Sequence, residues 1–94
     1  MVIGLVTIQL QIPASSSLKD KRQVLRSVIA RVHREFNVSI AEVAQQDSHQ
    51  LATLAVACVS SDRAYVQGLM ERAVKFITGA HDGLVLLDYE TELI

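Results

Sequence analysis

The hydrophobic period changes at Pro13, and that change constrains the fold more than any other feature. In "VIGLVTIQLQI", Val6, Ile8, Leu10 and Ile12 fall on one face, with Thr7, Gln9 and Gln11 on the other. Alternation of this kind marks a half-buried strand. Proline cannot donate to a sheet ladder, so the strand stops there. Beyond it, Leu18, Leu25, Val28, Ile29, Val32 and Phe36 recur at three and four residues. That is the apolar stripe of a helix of about five turns at ~3.6 residues each. Asn37 is expected to close it.

The period then switches again. "VSIAEV" reads as a short second strand, "QQDSHQ" as a polar connection and "LATLAVACV" as a central third strand, apolar throughout. Ser60-Ser61-Asp62 is an N-cap cluster. Tyr65, Val66, Leu69, Met70, Ala73, Phe76 and Ile77 form a second helical stripe that Gly79 stops. In "LVLLDYETELI", Leu87, Tyr89, Thr91 and Leu93 alternate with Asp88, Glu90 and Glu92 as a last strand. The order β-α-β-β-α-β, with right-handed crossovers, predicts an α+β ferredoxin-like fold. Residues 1–94 are expected to form one such domain. Its four-stranded antiparallel-type sheet has strands one and three central, and both helices lie on one face. Strands one and three are expected to pair parallel to each other.

"SLKDKRQVLRS", "FNVSIAEVAQQD", "ATLAVACVSSD" and "DYETE" together resemble the YlxP-like bacterial family, a family of unknown function. The resemblance runs nearly end to end, and "SLK-x-KR" is its most specific piece. It implies a ferredoxin-like fold and self-association. Genes of this family often lie beside translation-initiation and ribosome-maturation genes, so the resemblance points toward RNA or ribosomes by association.

Composition excludes several classes. Half the residues are hydrophobic but only four are aromatic, and there is no Trp, so the core is aliphatic. The apolar N-terminal stretch has no basic lead-in and is interrupted by Gln9 and Gln11, which fits neither a signal peptide nor a membrane span. The lone Cys58 cannot form an internal disulfide, and a cytoplasmic location is expected. No catalytic residue, metal ligand set or cofactor motif is found. His33, His49 and His81 are far apart, no C-x-x-C occurs, and Cys58 sits in an apolar strand as an inert thiol. "PASSSLKDKR" lacks the glycines of a phosphate loop. No small-molecule ligand is expected, and an enzyme is disfavoured.

Charge supplies the candidate sites. Residues 18–36 hold six basic against two acidic residues, a net +4, whereas residues 37–94 hold three basic against eight acidic, a net −5. Lys19, Arg22, Arg26 and His33 lie along one flank of the first helix at about 100° per residue. A row of cations can follow a phosphate backbone. Ser17 and its serine neighbours offer a helix N-terminus to an anion. Ser17, Lys19, Lys21, Arg22 and Arg26 are therefore the candidate contacts to RNA or another anion; the competing reading is a capped, solvated amphipathic helix. RNA-recognition motifs share this fold but stack bases on aromatics of the central strands, and none is present here. The face away from the helices would instead show small and apolar side chains. Ile3, Leu5, Thr7, Leu51, Thr53, Ala55 and Ala57 are the candidate homodimer interface, beside an acidic row of Asp88, Glu90 and Glu92. The expected function is a non-catalytic binding module, associated with structured RNA or a ribosomal particle through the basic helix face. The alternative is a homodimeric protein-interaction or regulatory module that acts through the sheet face without nucleic acid.

Overall fold

The computed structural model describes residues 1–94. The elements are β1 (Val2–Gln11), α1 (Leu18–Glu35), β2 (Ser39–Ala44), β3 (Leu51–Ser60), α2 (Arg63–Gly79) and β4 (Val85–Leu93). They form one four-stranded sheet in the order β2-β3-β1-β4. This is the ferredoxin-like arrangement, with β1 and β3 central.

One pairing differs from expectation: β1 and β3 run antiparallel, Val2 opposite Ser60 and Gln11 opposite Leu51. The reason is topological. Helix α1 carries the chain back so that β2 runs in the same direction as β1, with one strand's width left between them. The β2–β3 hairpin then folds β3 into that space, so β3 opposes both neighbours. The last strand also departs from simple alternation. A bulge between Gln9 and Leu10 places Leu86 opposite Leu10 and Tyr89 opposite Ile8, so Leu87 leaves the expected row and is exposed. The C-cap of α1 is Phe36, one residue before Asn37.

The core lies between the sheet and the helices. Val6, Ile8 and Leu10 of β1 meet Leu54 and Val56 of β3, Val28 and Val32 of α1, and Val66, Met70 and Ile77 of α2, all fully buried. Each such side chain contributes about 1.5–3 kcal/mol of burial. The helices meet at their far ends. Phe36 and Phe76 pack edge to face with centroids 5.4 Å apart, and Arg31 donates to the Ala80 carbonyl at the end of α2. Gly4 lets α2 sit directly on β1, because a Cβ there would run into Val66 Cγ1. No helix is long and apolar enough to cross a membrane.

Candidate functional site: the α1 flank and the β2 edge

Ser17 is the N-cap of α1, its Oγ accepting from the Asp20 N–H at 3.1 Å. Asp20 reaches back and accepts from the Ser16 N–H at 3.1 Å and the Ser16 hydroxyl at 2.8 Å. These bonds, chiefly the Ser16 hydroxyl, hold the Asp20 carboxyl below its ordinary range. Ser15 is buried and donates to the Ser17 carbonyl. A carboxylate of the chain itself thus occupies the helix start, where an anion would gain from the dipole. Ser17 acts as a cap, and the serine cluster does not open as a phosphate cradle.

Lys21 departs most from the sequence expectation. It is fully buried. Its ammonium donates to the carbonyls of Gln45 at 2.8 Å and Leu51 at 3.1 Å, and lies 2.9 Å from Glu42 Oε2. These carbonyls flank the β2–β3 connection, whose first residue, Gln45, holds a left-handed φ of 66°. Lys21 therefore ties the first turn of α1 to the hairpin and cannot reach a ligand outside. Glu42 Oε2 is shut off from water and lies out of line for a hydrogen bond, so the Lys21 charge is its only partner.

The other three cations remain on the surface. Lys19, Arg22 and Arg26 are exposed, and none forms an ion pair; Lys21–Glu42 is the only one in the molecule. Arg22 and Arg26 lie one turn apart, about 6 Å along the axis. With Leu25 and Ile29 of α1 and Glu42 of β2 they line an open groove of ≈ 250 Å³. The groove runs beside β2, an edge strand of the sheet. Arg31, opposite Arg22 around the helix, is spent on Ala80, and exposed Arg34 lies toward the far end of α1, about 60° round the helix from Lys19.

The acidic row lies elsewhere. Asp88, Glu90 and Glu92 pair with Gln9, Thr7 and Leu5 on the face away from the helices. Ile3, Leu5, Thr7, Leu51, Ala55 and Ala57 line the same face half-buried. Thr53 is already 4% exposed, its hydroxyl donating to Gln9 Oε1 at 2.6 Å. His33, His49 and His81 are exposed on separate elements. Burial pushes the half-buried Cys58 thiol up, partly offset by the Gly4 backbone.

Fold and site together define a small ferredoxin-like α+β domain with a basic helix flank and an open sheet face whose two central strands carry no aromatic side chain. Residues 3–91 match the model of DUF503, "Protein of unknown function", and the chain belongs to that family. It is similar to "Uncharacterized protein YlxP" of Bacillus subtilis (strain 168), 38% identical over 76 residues that span 81% of this chain and 83% of the relative. Among solved structures it is similar to the de novo designed protein Foldit4, with TM-score 0.53 and 16% identity over 99% of this chain and 94% of that one. It is also similar to a REP-associated tyrosine transposase bound to a REP hairpin, with TM-score 0.52 and 18% identity over 98% of this chain and 55% of that one. At these identities the structural likenesses speak to the fold alone.

Proposed function

We propose that this protein is a non-catalytic cytoplasmic binding module that holds the phosphates of structured RNA or a ribosomal particle on the α1 flank. The observation that carries this reading is the set of three exposed, unpaired cations, Lys19, Arg22 and Arg26, on one side of one helix. The acidic row of β4 does not neutralise them. Three inter-strand gaps of ~4.8 Å put β4 about 14 Å from β2, more than a Debye length of ~8 Å at physiological salt. The sheet also lies between the basic flank and the acidic row. Phosphate contacts of this kind give affinity and position without sequence readout.

The test is co-sedimentation with ribosomal particles at about 50 mM salt, where electrostatic contacts are exaggerated. Lys19→Glu with Arg22→Glu should weaken binding by roughly tenfold or more while leaving the fold intact, since neither side chain is packed. Unchanged co-sedimentation of the double variant would overturn the reading.

A second reading rests on the open sheet face, which carries three acids and no cation around small side chains. A second copy packed on it would cover Leu5, Ala55 and Ala57. A twofold axis along the strands would set each acidic row against the partner's small-sided β2; an axis across the strands would set acid against acid. Light scattering should then read twice the chain mass. Ala55→Asp should return it to the monomer by placing an unpaired charge in the interface. A wild type that stays monomeric at high concentration would remove this reading.

A further inference from the structure

The sheet ends on two edges of unequal character. β2 is six residues long, is bulged between Glu42 and Ala44, and is tied to α1 through the Lys21–Glu42 pair. Short length and a bulge both blunt an edge against pairing. β4 lacks these defences over its last stretch. From Asp88 to Leu93 its register with β1 is unbroken, and seven of its nine residues are exposed. The ladder shows which of its backbone groups are free. Ile3 and Ile94 exchange both N–H···O bonds at 2.8 Å. In an antiparallel pair such residues alternate with residues that exchange none. Glu92, Glu90 and Asp88 therefore bond to β1, while Leu93, Thr91 and Tyr89 turn their N–H and C=O groups outward. Tyr89 agrees with this parity: its N–H donates to Asp88 Oδ1 at 2.9 Å, which closes the edge at that point. Thr91 and Leu93 have no such cover.

The flanking side chains select what can pair with this open ladder. On the face away from the helices, Glu90 and Glu92 are exposed and neither meets a cation of the chain. On the helix side, Tyr89 lies opposite fully buried Ile8 yet keeps 48% exposure, so α2 leaves the edge uncovered there. The β4 of a second copy is a poor partner. Antiparallel pairing with the helices of both copies on one side sets Glu90 and Glu92 opposite carboxylates in its well-overlapped registers, and like charges directly opposite are destabilising. The geometry points to β4 as a docking edge that takes, as a fifth strand, an extended segment of another protein with Lys or Arg at alternate positions. Such strand addition draws affinity from main-chain bonds and specificity from alternate side chains. Thr91 and Leu93 supply the main-chain bonds. The basic side chains fall beside Glu90 and Glu92, and the apolar residues between them fall on the helix side, toward Tyr89. This edge is the far edge of the sheet from β2 and the α1 flank, so it is tested separately from RNA binding.

The experiment is amide hydrogen exchange on the full chain, read by NMR at about 150 mM salt. The probe is an acetylated, amidated peptide of about seven residues in which Lys and Val alternate. In the free protein the Thr91 and Leu93 amides should exchange fast, and those of Glu90 and Glu92 slowly. Peptide at about ten times its Kd should slow Thr91 and Leu93 roughly tenfold, because they exchange only from the unbound fraction. The same residues in two blocks, all Lys then all Val, should give no protection. Thr91→Pro removes an outward N–H and no bond to β1, and should abolish peptide binding. Because proline could disturb the strand, Glu90→Lys with Glu92→Lys serves as the second variant. Both side chains are exposed, and the change should weaken the Lys–Val peptide roughly tenfold by turning two attractive cross-strand pairs repulsive. Lys19→Glu with Arg22→Glu should leave peptide binding unchanged. Equal protection by the blocked peptide would reduce the effect to charge attraction and overturn strand addition. Protection at β2 in place of β4, or binding that survives both β4 variants, would overturn it by placing the site elsewhere. Slow exchange of Thr91 and Leu93 in the free chain would show the edge already covered, and no response to the alternating peptide would leave it without its partner; either result overturns the proposal.

Discussion

Lys21→Met is expected to destabilise the protein by about 3 kcal/mol, the lower end of the range for breaking a buried ion pair. The ammonium serves three groups at once, Glu42 Oε2 at 2.9 Å and the Gln45 and Leu51 carbonyls at 2.8 and 3.1 Å. Without it, Oε2 is left sealed and charged, and the two carbonyls of the hairpin connection lose a donor. The lower end applies because the Glu42 side chain keeps 20% exposure and regains some hydration. Lys21→Met combined with Glu42→Leu should recover most of the loss, since two apolar side chains of similar volume leave no buried charge. Urea unfolding of both variants measures this. A chain this size has on the order of 5–14 kcal/mol in total, so the single change should shift the midpoint strongly. A shift within ~0.5 kcal/mol, as for an ordinary surface substitution, would show that Lys21 does not sit in the core.

Gly4→Ala should cost about 1–3 kcal/mol by overpacking. The new methyl group would collide with Val66 Cγ1 and lie 3.2 Å from Met70 Cγ and 3.4 Å from Cys58 Sγ. Val66 and Met70 are both fully buried on α2, so the helix must lift from the sheet to make room. Gly79→Ala is the matched control. A Cβ there meets nothing within 4 Å, and alanine is the better helix former by up to ~1 kcal/mol. Thermal unfolding should therefore separate the two glycines in sign. Equal effects would mean that the contact of α2 on β1 is loose.

Much of the fold was legible in periodicity. The alternation of β1, the stripes of α1 and α2 and the break at Pro13 correspond to the observed elements, and their order implies the topology. The direction of β3 relative to β1 depends on where the hairpin inserts, which no local pattern records. The bulge in β4 likewise arises from pairing with β1, so the simple alternation through Leu87 could not show it.

The site was less legible, although a signal was present. The α1 stripe, continued from Leu18 toward Leu25 at three and four, lands on Lys21. In β2, the alternation from Ile40 lands on Glu42. A cation and an anion each at an inward position, on elements joined in sequence, are what a buried pair looks like before folding. Counting Lys21 with its basic neighbours by charge alone hid its position on the wheel. Ser17 was equally ambiguous, because caps and anion sites use the same N–H groups. Only the placement of Asp20 at the helix start separates them.

The salt dependence of RNA binding tests most directly whether Lys19, Arg22 and Arg26 meet phosphates. Each phosphate contact lowers log K by about 0.7 per decade of salt on a single strand and about 0.9 on a duplex. Two to three such contacts predict a slope of roughly −1.4 to −2.7 for the wild type, flattened in Lys19→Glu with Arg22→Glu. A slope near zero, or no binding to RNA or ribosomal particles at about 50 mM salt, would contradict the claim and leave the open sheet face as the working surface.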